Sequence, residues 1–91
     1  MREHKIIAFI RKPVRWRNDN GIICITSKGK AWRLNGVASF IWLKLANFKT
    51  IKELINELSS SYDLDFEQTT SVLKNFLEKL ESMNLIEQKN I

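Results

Sequence analysis

Two short turn signals, Asn18-Asp19-Asn20-Gly21 and Ser27-Lys28-Gly29, stand only five residues apart, and this spacing constrains the fold more than any other feature. Asn and Gly tolerate positive φ, so such stretches reverse the chain tightly. Ahead of the first turn, Val14-Arg15-Trp16-Arg17 alternates apolar and polar residues, the period of a half-buried strand. Between the turns, Ile22-Ile23-Cys24-Ile25-Thr26 is rich in β-branched residues and reads as a more buried strand. Lys30 to Leu34 is the third. Two tight connections make a three-stranded antiparallel β-meander. Residues 5 to 10, with the apolar run Ile6 to Ile10, are a candidate fourth strand that pairs with this sheet or with a neighbouring chain.

The pattern then changes to a helical period. Asn35 is placed to cap a helix running to about Ala46, with Val37, Ala38, Ile41, Trp42 and Leu45 on one face. Thr50-Ile51-Lys52-Glu53 reads as a capping box opening a second helix, with Ile51, Leu54, Ile55 and Leu58 inward and Ser59-Ser60-Ser61 at its end. Asp65-Phe66-Glu67-Gln68 reads as another box, opening a third helix to about Met83. Asn84 closes it, and Leu85-Ile86 folds back on the core. The fold class is therefore α+β: an N-terminal three-stranded antiparallel β-meander followed by three helices packed on one sheet face.

Little in the chain suggests catalysis. With 91 residues there is room for one small domain. His4 is alone, Cys24 sits mid-strand without a histidine to activate it, and three glycines make no phosphate loop. One His and one Cys give no metal-ligand spacing, so neither a metal nor another cofactor is expected. Asp63 and Asp65 are loop and capping residues rather than an acid/base pair. No apolar run approaches the ~20 residues of a membrane span, and the single cysteine suits a reducing compartment. The expectation is a cytoplasmic, non-membrane, non-enzymatic protein.

Charge is uneven. Residues 1–33 carry nine Lys/Arg against Glu3 and Asp19, a net +7, while residues 34–91 carry six against eight Asp/Glu, a net −2. A basic segment attracts an anionic partner. The strand Lys30–Leu34 lies at the edge of a meander, where unpaired N–H and C=O groups are either blunted by charge, as Lys30 and Arg33 would do, or used to add a guest strand. A pocket beside that edge needs a second wall. On the third helix Phe66, Leu73, Leu77 and Leu80 form the centre and one flank of a wide apolar arc, and Val72, Phe76 and Met83 extend the other flank. From the wheel alone, packing the whole arc into the core is the favoured reading.

The order of several pieces resembles the PqqD-like family, the recognition elements for ribosomally made, post-translationally modified peptides (RiPPs). These are Trp32-Arg33-Leu34-Asn35, the small stretch Gly36-Val37-Ala38-Ser39, Ile41-Trp42, Thr50-Ile51-Lys52-Glu53-Leu54 and Met83-Asn84-Leu85-Ile86. The resemblance covers residues 14 to 87, with 1–13 as an N-terminal extension and 88–91 as a tail. It implies a compact, winged-helix-like module that binds the leader of a precursor peptide as an added strand against Lys30–Leu34, beside the third helix. Carried over by position, it assigns Lys30, Ala31, Trp32 and Arg33 to the strand side and Val72, Phe76, Lys79, Leu80 and Met83 to the helix side. It also implies a separate leader peptidase or peptide-modifying enzyme as partner, with the lasso-peptide type favoured over other RiPP or pyrroloquinoline quinone pathways. One departure is Gly21, where relatives often have an acidic residue.

Two competing readings remain. A winged-helix DNA-binding protein suits the basic first third, but residues 66–83 hold Glu67, Glu78 and Glu81 against Lys74 and Lys79, the wrong sign for a groove-binding helix. A structural or dimerisation subunit would use the edge strand or residues 5 to 10.

Overall fold

The computed structural model describes residues 6–90; His4, Lys5 and the last residue of the expected tail lie outside the described residues. The elements run β1 (Ile7–Arg11), β2 (Arg15–Asp19), β3 (Ile22–Ser27), β4 (Lys30–Leu34), α1 (Val37–Lys44), β5 (Lys49–Thr50), α2 (Ile51–Ser61), α3 (Phe66–Ser82) and β6 (Ile86–Asn90). The α+β class is as the sequence indicated: an antiparallel sheet of order β2-β3-β4 precedes three helices.

Both hairpins close with two residues at positive φ, Asn20 and Gly21 (54° and 89°) and Lys28 and Gly29 (52° and 75°). That is the twist-matched geometry for joining adjacent strands. The register follows, Asp19 opposite Ile22 and Ser27 opposite Lys30. It fixes which residues face inward: Ile23 and Ile25 of β3 are fully buried.

The core unites Ile23 and Ile25 with Ile41, Trp42 and Leu45 around α1, Leu54 and Leu58 of α2, and Leu73, Leu77 and Leu80 of α3. Leu85 and Ile86 do fold back into it. They are set there by the end of α3, where Asn84 at φ 64° lets its own N–H reach Glu81 O and the Leu85 N–H reach Leu80 O. These two bonds are a Schellman closure.

Three sequence expectations are corrected. Asn35 does not cap α1 with its side chain: the cap position is Gly36, at φ 56°, and Ser39 Oγ instead donates to Leu34 O at 2.6 Å. Gly36 can take the left-handed turn that a strand-to-helix junction this sharp demands, which moves the helix start one residue along. Phe66, the first residue of α3, lies outside the apolar arc's buried centre and is 66% exposed, while Thr69 of the same turn is buried. Residues 86–90 form a strand, so most of the expected tail is ordered in β6.

The largest addition is a second sheet of order β5-β1-β6. Here β1 pairs antiparallel with β6 from Ile7 opposite Asn90 to Arg11 opposite Ile86, and with β5 at Ala8–Thr50 and Phe9–Lys49. Residues 7–11 thus form a strand, in a sheet of their own rather than beside the meander. The end of β1 is tied to the ends of two helices. Arg11 N–H donates to Leu45 O (3.0 Å), the Arg11 guanidinium to Trp42 O (3.0 Å), and Lys12 N–H to Leu85 O (2.9 Å). Partial burial lowers the Arg11 pKa by desolvation, but an arginine stays charged. Its guanidinium lies 4.6 Å from the Trp16 ring centre and 5.8 Å from that of Trp42.

Candidate functional site

Pairing in the order β2-β3-β4 leaves the outer side of β4 without a strand partner among the described residues. Its five residues split by the two-residue period. Lys30, Trp32 and Leu34 share the core-facing side, and Ala31 and Arg33 share the opposite one. Trp32 lies opposite the fully buried Ile25 and packs against the core, yet remains half-buried. It is therefore both a core contact and a surface group at the sheet edge. Trp42, by contrast, is completely buried and meets Trp16 edge-on at 6.3 Å. Lys30, Ala31 and Arg33 are exposed.

On α3, the helix-side residues separate into two kinds. Leu80 is fully buried with Leu73 and Leu77, so it serves the core and presents nothing to a guest. Val72, Phe76, Lys79 and Met83 follow spacings of four, three and four and form one stripe beside that buried row. Val72 is 57% exposed, Lys79 is exposed, and Phe76 and Met83 are half-buried against the same core that Trp32 touches.

An apolar pocket of about 270 Å³ opens at the start of this stripe. Val37 and Ile41 of α1, Leu58 of α2, Leu64 of the connecting loop, and Val72 and Leu73 of α3 line it, with Asp65, Gln68 and Thr69 supplying the polar part. Because α1 starts three residues after β4 ends, Val37 links this pocket to the edge strand. The pocket can accept an aliphatic side chain and offers few polar groups to hold a charged one.

A second, broader depression of about 520 Å³ lies on the outward face of the β2-β3-β4 sheet and includes Ala31, Trp32 and Arg33. Lys30 and Lys79 line neither depression. The sequence had not singled out Val37, Ile41 or Leu64 as pocket-lining residues. Leu64 carried a readable signal, since it immediately precedes the Asp65 cap, where an apolar residue packs back over the first turns. The cap itself is made by Asp65 Oδ2 accepting from Gln68 N–H at 3.0 Å.

Among the described residues no three of His, Cys, Asp and Glu converge as a metal site, and no described helix is long and apolar enough to cross a membrane. The arrangement offers backbone hydrogen bonds along an edge, aromatic and aliphatic side chains beside it, and positive charge around it.

A family model described as Coenzyme PQQ synthesis protein D (PqqD) matches residues 20–86. A solved structure, TbiB1 in complex with the TbiA(beta) leader peptide, has the same fold, with a TM-score of 0.79 and 22% identity over 86% of this chain and 94% of that one. No curated protein matches the sequence.

Proposed function

This chain belongs to the PqqD family, and from that premise we propose that it binds the leader segment of a ribosomally made precursor peptide as an added strand on β4. It catalyses nothing itself and delivers the guest to a separate leader peptidase or modifying enzyme. The observation that carries this reading is the edge of β4, unpaired among the described residues, with half-buried Trp32 in its middle and exposed Val72 beside an apolar pocket. TbiB1, of the same fold, is bound to a leader peptide.

In this reading the backbone of Lys30 to Arg33 supplies ladder hydrogen bonds, which give affinity without reading sequence. Specificity comes from alternate guest side chains. Those turned inward meet Trp32 and the stripe of Val72, Phe76 and Met83, and an aliphatic one enters the pocket walled by Val37 and Ile41. Leu80 holds the stripe in place from behind. Lys30, Arg33 and Lys79 meet guest carboxylates at the rim, where exposed charge steers association more than it adds affinity. The pattern Trp32-Arg33-Leu34-Asn35 with Ile41-Trp42 favours the lasso-peptide type over other RiPP and pyrroloquinoline quinone pathways.

The test is a fluorescence-anisotropy titration. The leader of a short open reading frame neighbouring the gene is labelled, and a labelled DNA duplex is run in parallel at two salt concentrations. Saturable leader binding that changes little with salt is expected, with DNA weak and strongly salt-dependent. DNA binding without leader binding would overturn the reading and leave the family likeness one of fold.

A further inference from the structure

We propose that the outward face of the β2-β3-β4 sheet docks an acidic segment of a second protein, gripped by Arg15, Arg17 and Arg33. The strand register builds this face. Arg15, Thr26 and Ala31 stand in one row across the three strands, and Arg17, Cys24 and Arg33 stand in the next. All six occupy positions alternate to the buried Ile23 and Ile25, so they point away from the core. The three arginines, Thr26 and Ala31 are exposed, and Cys24 is half-buried.

The middle of the face is floored by short side chains, and the arginines stand at its two sides. A partner's backbone can come close while guanidinium forks reach its carboxylates in pairs. The sheet sets the spacing from which the three forks start. Among the described residues Asp19 is the one carboxylate lining this face, and it sits 3.3 Å from Arg17 in an exposed ion pair.

Geometry separates this surface from the guest edge. An added strand would lie one strand spacing beyond β4, within reach of Arg33. Arg15 and Arg17 on β2 stand two spacings further in, about 14 Å from it at ~4.8 Å per strand. A single extended guest cannot cover them, so the occupant is a wider body. Ala31 and Arg33 belong to both places, so a protein seated here is adjacent to the guest. Duplex nucleic acid fits less well, because it needs a basic track continuing past the sheet, and α3 is net acidic. That the docked protein is the one acting on the guest rests on the leader-binding reading; the acidic contact does not.

The test uses the full chain and a fluorescein-labelled dodecamer of alternating Glu and Gly, with a labelled DNA duplex and the labelled leader as separate probes. The variants are R15E/R17E and the milder R15Q/R17Q, each checked for an unchanged melting curve; the Gln pair serves if charge reversal beside Asp19 perturbs folding. Saturable acidic-peptide binding is expected, weakened about tenfold or more in the Glu pair and less in the Gln pair. Leader affinity should stay within about twofold, since neither residue reaches the guest. Acidic-peptide binding that is absent, or equal in wild type and variants, would overturn the proposal. So would DNA binding tighter than the acidic peptide and lost in the variants. Loss of leader binding in the variants would also overturn it, by merging this face with the guest edge. If no leader binds wild type while the acidic peptide does so through Arg15 and Arg17, the docking surface stands and the leader-binding reading fails.

Discussion

Val72 and Leu80 lie on the same helix and are both aliphatic, yet they do different work. Leu80 is fully buried and Val72 is 57% exposed. An exposed β-branched residue lowers helix propensity without adding to the core, so Val72 is the more informative about binding. Val72→Asp should leave stability within about 1 kcal/mol and weaken leader binding by about tenfold or more, equivalent to ~1.4 kcal/mol. Leu80→Ala should cost about 2–5 kcal/mol of stability. Chemical denaturation and anisotropy on both variants separate the two roles; unchanged leader affinity in a folded Val72→Asp protein would remove the stripe from the site. The tryptophans sort similarly. Trp42 is core, Trp16 meets it edge-on, and Trp32 divides its surface between the core and the sheet edge. Alternation put Trp32 on the inward side of its strand, but its partial exposure depends on what does not cover it, which alternation does not encode.

Among the elements, α2 was read most completely. Thr50 Oγ1 accepts from Glu53 N–H at 3.1 Å, and Glu53 Oε1 accepts from Thr50 N–H at 2.8 Å, so the capping box closes in both directions. The backbone hydrogen bond from Thr50 is the main cause of the lowered Glu53 pKa; its desolvation works the other way, and the Thr50 hydroxyl and Lys49 add to the lowering. A carboxylate whose folded pKa is depressed stabilises the fold above its unfolded value and loses that contribution as pH falls through the folded one. Thr50→Ala removes the N-cap oxygen that accepts from Glu53 N–H and should cost about 1 kcal/mol at neutral pH. The stability gap between wild type and Glu53→Gln should narrow as pH falls below the ordinary value of 4.5. Urea titrations across that range check both; a gap that widens in acid would contradict the assignment. At α1 the same kind of reading erred, because Asn35 and Gly36 are both turn formers and only the strand-to-helix angle selects Gly36 as the pivot.

For the molecule as a whole, β1 decides how the two sheets and the helices are joined. Ala8 and Phe9 are buried, β1 bridges β5 and β6, and Arg11 and Lys12 bond to the ends of α1 and α3. Removing residues 1–12 should lower stability by more than about 3 kcal/mol, since a buried phenylalanine alone accounts for roughly that much. It should also reduce leader binding indirectly, because Arg11 packs over Trp16 and Trp42 behind the meander. A truncated chain with an unchanged melting temperature would show that residues 1–12 are a dispensable extension. Turns, caps and periodicity act over a few residues, so the meander, the three helices, the α2 capping box and the inward rows were legible locally; at α3 the expected box closes in one direction only, Asp65 Oδ2 accepting from Gln68 N–H. Folding of the whole chain is what pairs β1 with β6 from the opposite end of the chain and places Leu80 behind the helix-side stripe rather than on it. Pairings between distant segments follow from how the whole core closes, and no local pattern records that.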